Sequence, residues 1–187
     1  MKNPAGPPER VDTQQSLHGK WWDEVYTRDP ITGESVLRER TPVKSNIICL
    51  SISELMAGLF ANDARFFGGI LFHAFGAGQA AWDTSPANPS AAQTSLVDEL
   101  YRKTPTNIDF LDESGNPTSS ITKTLRIKTV LDYGETEIND KYIREQGLFG
   151  GDAVSAKDSG HIIDAINHVK IWKDSTIRLI RYIELGF

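Results

Sequence analysis

Histidine is the side chain best suited to acid–base or metal chemistry near neutral pH, and this 187-residue sequence has four: His18, His73, His161 and His168. They are scattered. His161 and His168 lie seven apart and would share a face only on a helix. His73 sits inside the apolar run Gly69-Ile70-Leu71-Phe72-His73-Ala74-Phe75, with no second histidine at ligand spacing. It reads as a satisfied interior or interface histidine rather than a metal ligand or base. Cys49 is the only cysteine and lies in an apolar run, so it reads as a buried free thiol, and an internal disulfide is excluded. Carboxylate pairs such as Asp98/Glu99 and Glu135/Glu137 read as ordinary solvated charges.

Phosphate and nucleophile motifs are missing as well. Gly76-Ala77-Gly78 has neither the third glycine nor the following lysine that a phosphate loop needs, and reads as a strand end. There is no G-x-S-x-G, no H-E-x-x-H and no metal-spaced cysteine set. An enzyme would have to assemble acid and base from distant positions. The expectation is therefore no catalytic residues, no metal and no cofactor.

The elements that hold these residues are mostly strands. Lys20 to Tyr26 and Ser35 to Arg40 read as a hairpin about the turn Asp29-Pro30-Ile31-Thr32-Gly33-Glu34. Trp21 and Trp22 are adjacent, so a strand turns them to opposite faces, one for the core and one for a partner or polar rim. Asn46-Ile47-Ile48-Cys49-Leu50 is a short apolar run. Ser51-x-x-Glu54 reads as a capping box opening a helix, with Ile52, Leu55, Met56, Leu59 and Phe60 on one apolar stripe to about Ala61. Met56 and Phe60 are expected in the core.

From Gln79 to Gln93 the composition turns to Ala, Ser, Pro, Asn and Gln, with Trp82 as the candidate anchor, intramolecular or across an interface. Thr94 is placed to cap a short turn in which Leu96 and Leu100 share a face and Glu99 and Arg102 pair on the surface. Asn107 to Leu111 leads to a turn at Glu113 to Pro117. Ile121 to Tyr133 alternate as a long half-apolar strand, and Glu137 to Phe149 form another that ends at Gly150-Gly151. Residues 161–172 fit strand or helix. Ile177, Leu179, Ile183, Leu185 and Phe187 share the face of a final strand, with Arg181 the exception.

The fold class that follows is mainly β: an antiparallel β-sandwich with one or two short helices and an extended N-terminal arm. Residues 1–18 carry three prolines and only Val11 and Leu17 as sizeable aliphatics, too little burial to offset ordering. They read as an extended or disordered arm that orders on a neighbour, ahead of a single β-rich domain over 19–187. A net charge of −5 argues against a nucleic-acid surface, and no apolar run is long enough for a membrane helix. The N-terminus has no apolar signal segment, so synthesis in a cytosol is expected.

The order and spacing of several short motifs resemble a family of tailed-bacteriophage virion proteins, of the tail-collar or tail-fibre-attachment type. These are Thr32-Gly33-Glu34, Asn46-Ile47-Ile48, Phe75-Gly76-Ala77-Gly78, Thr94-x-Leu96-x-x-Glu99-x-x-Arg102, Ile143-x-Glu145-x-Gly147-Leu148-Phe149 and the last strand, Ile177 to Phe187. Residues 1–18 fall outside the likeness. The resemblance implies a cofactor-free structural protein, made in the host cytoplasm and located in the virion at tail, neck or baseplate. Its partners would be itself, as a trimer or symmetric ring, and other virion proteins, with no nucleic acid or membrane involved. Trp21, Trp22, Trp82, Leu17 and Val11 are the candidate interface residues. The alternative is a fibre domain that binds a host glycan.

Overall fold

The computed structural model describes residues 17–187. Val11 and the rest of the arm up to residue 16 lie outside the described residues. Leu17 and His18 belong to the body: Leu17 packs against the core, and His18 opens the first strand.

Among the described residues, twelve strands form two antiparallel sheets, so the fold is mainly β with one α-helix. The first sheet contains β1 (His18–Arg28), β2 (Ser35–Arg40), β3 (Lys44–Ser45), β7 (Asn107–Leu111), β8 (Pro117–Thr118), β9 (Thr124–Leu131) and β12 (Ile177–Gly186). Its spatial order is β2-β1-β12-β9-β7-β8, with β3 also pairing β1. The second contains β4 (Ile47–Ile48), β5 (Gly68–Gly76), β6 (Glu99–Lys103), β10 (Lys141–Gly151) and β11 (His161–Lys173), in the order β4-β11-β10-β5-β6. The main core cluster joins Trp21, Ile127 and Ile183 of the first sheet to Leu148, Ile163 and Ile166 of the second, so the sheets face one another across it. The helix α1 (Ser51–Phe60) adds Ile52 and Leu55 to that cluster. No helix among the described residues is long and apolar enough to cross a membrane.

The β1–β2 hairpin forms as its sequence dictates. The Asp29 carboxylate accepts from Ile31 N and Thr32 N, both at 2.8 Å, and Gly33 takes φ +72°. The alternation in β9 also holds, with Ile127, Thr129 and Leu131 buried on the inner face.

Four local expectations are corrected, and the open reading of residues 161–172 is resolved. Ser51 does not cap the helix: Leu50 occupies the N-cap position, and the Ser51 hydroxyl donates to the Ile162 carbonyl, tying α1 to β11 instead. Phe60 is 80% exposed, because the helix stops there and Asn62 turns away at φ +52°. Leu96 and Leu100 enter different core clusters, since 94–102 runs as a loop into β6 rather than as a helical turn. Residues 161–172 are strand, because neighbours β10 and β4 flank them on either side. Glu99 pairs with Arg102 as expected but in the interior, for reasons given below.

Candidate functional site

The chemistry-capable residues converge less on a cleft than on a set of buried joints. The most connected is Glu145 on β10. Its carboxylate accepts three backbone N–H groups, from Gly78 (3.1 Å), Val97 (2.9 Å) and Asp98 (2.7 Å). One fully buried acid thus closes the exit of β5 against the entry to β6. Burial pushes its pKa up, against the three N–H donors that favour the charged form. Gly78 is required there. Its φ is +54°, and a Cβ would lie 2.5 Å from the Trp82 ring.

Beside it, Glu99 and Arg102 make a bidentate pair, Nε–Oε1 2.6 Å and Nη2–Oε2 2.7 Å. The remaining Arg102 donor, Nη1, reaches the Val154 carbonyl and both oxygens of Ser159, while Asp158 N donates to Glu99. The guanidinium also lies 4.8 Å from the Phe149 ring. The pair therefore staples the loop 152–160 over the edge strand β6. Such an edge would otherwise invite pairing with another chain. Solvation at the surface was the natural expectation for i, i+3 charges, and the covering loop overturns it. Glu99, likewise, is not a solvated carboxylate.

A third pair crosses β1 and β12. Arg181 and Asp23, both fully buried and directly opposite in register, meet at 2.5 and 2.6 Å. The guanidinium lies 5.3 Å from the Trp21 ring and 5.8 Å from Phe75. Arg181, the exception on an apolar strand face, is thereby accounted for: it points inward, onto an aspartate. Nearby, His73 bonds Thr129 Oγ1 through Nδ1 and Gln146 Oε1 through Nε2, both at 2.8 Å. The second contact makes Nε2 the donor and Nδ1 the acceptor of the threonine hydroxyl. Burial first, and the Arg181 charge second, push its pKa down to about 3, so it is neutral at physiological pH. His168, next to Trp21, is held neutral by the same two causes.

Asp164 on β11 accepts from Asn46 Nδ2 (2.5 Å) and Leu148 N (3.0 Å). Burial nonetheless pushes its pKa up to about 6. Cys49 is buried, and its thiol is pushed up to about 12, which makes it chemically inert at neutral pH. The partly exposed His161 sits by Asp152 (3.2 Å) and Glu54 (3.8 Å). Among the described residues, no group of three or more His, Cys, Asp or Glu side chains converges to hold a metal.

The candidate interface tryptophans lie inside the chain's own body. Trp21 is in the main core. Trp22, on the outer face of β1, stacks on Tyr182 at 5.0 Å and is sealed by Arg40 and Arg126. The two rings take opposite faces, Trp21 the core and Trp22 a polar rim in which long arginine stems cover the ring. Trp82 is buried in the 3₁₀ turn Ala80–Asp83, which is pinned by Asp83 to Arg144 (2.6 Å) and Lys170 (2.7 Å). It is an intramolecular anchor.

Apolar surface is bare elsewhere. Between α1 and the strand ends runs a groove of about 210 Å³, floored by Leu55, Ile163 and Leu185 and rimmed by Leu59, Ile108 and Phe187. Phe60 and Phe67, 80% and 65% exposed, lie in the segments leading to and from it. Sequence reasoning missed this groove, since the same helical stripe that predicts core packing also lines it.

No family model matches the chain, and no curated protein matches it.

Proposed function

We propose that this chain is a structural protein of a tailed-bacteriophage virion, at the tail, neck or baseplate, joining fibres or collar to the tail through protein–protein contacts. One observation carries the reading. Three of the motifs behind the resemblance meet at the Glu145 joint: Phe75 to Gly78, Thr94 to Arg102 and Ile143 to Phe149. Glu145, Glu99 and Arg102 of these motifs bind backbone or one another inside the fold, so they build a scaffold. A protein whose work is contact needs a shape-retaining body and a bare apolar face, and the α1 end supplies the second.

Size-exclusion chromatography with light scattering, over a range of concentrations, tests the proposal. A discrete oligomer is expected; a concentration-independent monomer overturns it.

Host-glycan binding is the second reading. It no longer rests on Trp82, which is buried, but on the half-exposed pair Tyr142 and Trp172, whose rings lie edge-on at 4.7 Å. Trp172 also borders a cleft of about 320 Å³ with Arg38, Glu39 and Lys170. Glycan-array binding that is lost in Trp172→Ala favours it.

A further inference from the structure

Two breaks in strand register meet at one cleft, between the β1–β2 hairpin of the first sheet and β11 of the second. In the hairpin, Val25 pairs with Glu39 and Tyr26 with Leu37, so Arg38 is an extra residue. In the other sheet, Ile143 pairs with Ile171 and Glu145 with Asn167, which leaves residues 168–170 opposite Arg144 alone. Arg38, Glu39, His168 and Lys170 all line the same cleft of about 320 Å³. A bulge re-aims side chains at the expense of ladder hydrogen bonds, and bulges concentrate beside active sites.

The cleft holds an unanswered acceptor. His168 is 2% exposed, and its Nδ1 donates to the Val169 carbonyl at 2.7 Å. Nε2 therefore carries the lone pair, and it has no hydrogen-bond partner among the described residues. A buried acceptor in this state calls for a donor, which a ligand hydroxyl supplies. The charges on the rim are unbalanced as well. Asp23 is paired with Arg181, and Lys170 with Asp83. Arg38, Lys44 and Glu39 have no ion-pair partner among the described residues, so two free cations stand against one free carboxylate. The rim thus suits an anion, and Glu39 tells against one of multiple charge. Trp172, half-exposed, adds an aromatic wall.

From this we infer that the cleft binds a carboxylate-bearing sugar. Its hydroxyls donate to His168 Nε2 and to Glu39, its carboxylate is held by Arg38 and Lys44, and its apolar ring face lies against Trp172. The inference rests on the glycan reading above and deepens it, naming the sugar class and the groups that read it. Hydroxyl donors, an apolar face and a single negative charge occur together in an acidic sugar, and each has its counterpart here. A guanidinium recognises a carboxylate through paired N–H donors. About 320 Å³ lies at the small end of ligand pockets, enough for a terminal sugar unit.

Saturation-transfer NMR titrations of the full-length protein test it. Glucuronic acid and N-acetylneuraminic acid are the probes, glucose the neutral control and glucose 6-phosphate the doubly charged one. The acidic sugars are expected to bind about tenfold more tightly than glucose, and Arg38→Gln/Lys44→Gln to remove that advantage. Both positions are exposed, so the melting temperature is expected to stay unchanged. His168→Phe keeps a ring without the acceptor and is expected to weaken acidic and neutral sugars alike, about tenfold. Should that variant fold poorly, the exposed pair decides alone. Equal binding of acidic and neutral sugars, a preference for glucose 6-phosphate, or acidic-sugar binding that survives Arg38→Gln/Lys44→Gln overturns the inference and leaves the glycan reading standing. Binding of no sugar, here or on a glycan array, removes both.

Discussion

Two regions of this molecule invert the usual distribution of polarity. Around Glu145, Glu99–Arg102 and Asp23–Arg181, charged groups are buried and hydrogen-bonded within the chain. Near α1, Phe60 and Phe67 stand in solvent, and Leu59, Ile108 and Phe187 rim an apolar groove. Burying a charge costs several kcal/mol unless it is paired, and pairing rarely yields net stability over a hydrophobic substitute. What such pairs do provide is a defined arrangement, because any shift leaves a charge without its partner. The interior is thus fixed in shape while one face carries bare apolar side chains.

Breaking the interior side of this contrast has the largest effect. Arg102→Met leaves Glu99 buried without a cation and releases the loop 152–160, with an expected loss of about 3–5 kcal/mol in urea denaturation. Glu99→Leu in the same chain is expected to restore most of that loss. If the single variant costs nothing, the pair is not the staple described above. Gly78→Ala follows, at about 1–3 kcal/mol, from its left-handed φ and the Trp82 ring in the way. A cost below that range would mean that the turn relaxes freely.

Acidity separates two of the buried groups. His73, with its pKa lowered from 6.5 to about 3, is neutral in the fold and protonated in the unfolded chain below pH 6.5. It contributes stability that is lost as pH falls through that window, about 2 kcal/mol by pH 5. Asp164, raised from 3.8 to about 6, holds its proton in the fold where the unfolded chain has lost it. Its effect has the opposite sign: stability falls as pH rises from about 4 to 6, with about 1 kcal/mol gained on going from pH 6 to pH 5. The loss of stability on going from pH 7 to pH 5 should therefore be smaller, or turn into a gain, in His73→Gln and be larger in Asp164→Asn than in the wild type. Equal slopes in all three would remove both assignments. On the exposed side, Phe60→Ser is expected to change stability by less than about 0.5 kcal/mol. A much larger loss would show that Phe60 is packed after all.

The strands were legible because burial on one face leaves a period of two, as in β9, and because turn chemistry at Asp29 and Gly33 is local. The burial of Glu99 was not, since it depends on Ser159 and Val154, more than fifty residues away, folding over it. Arg181 looked like a flaw in an apolar face because its counter-ion, Asp23, is 158 positions distant. Residues 161–172 fit strand or helix by period, and only flanking strands decide the matter. The cover of Trp22 was hidden from sequence for a related reason: its ring lies under arginine side chains brought in by other strands.

The position of β12 between β1 and β9 has a consequence for biogenesis. The first sheet cannot close until residues 177–186 have left the ribosome, so β1 waits through the synthesis of nearly the whole chain for its central neighbour. Such long-range closure is slow. A nascent chain stalled short of Ile177 should expose both flanking edges and recruit chaperones, and release of the last strand should trigger compaction in one cooperative step.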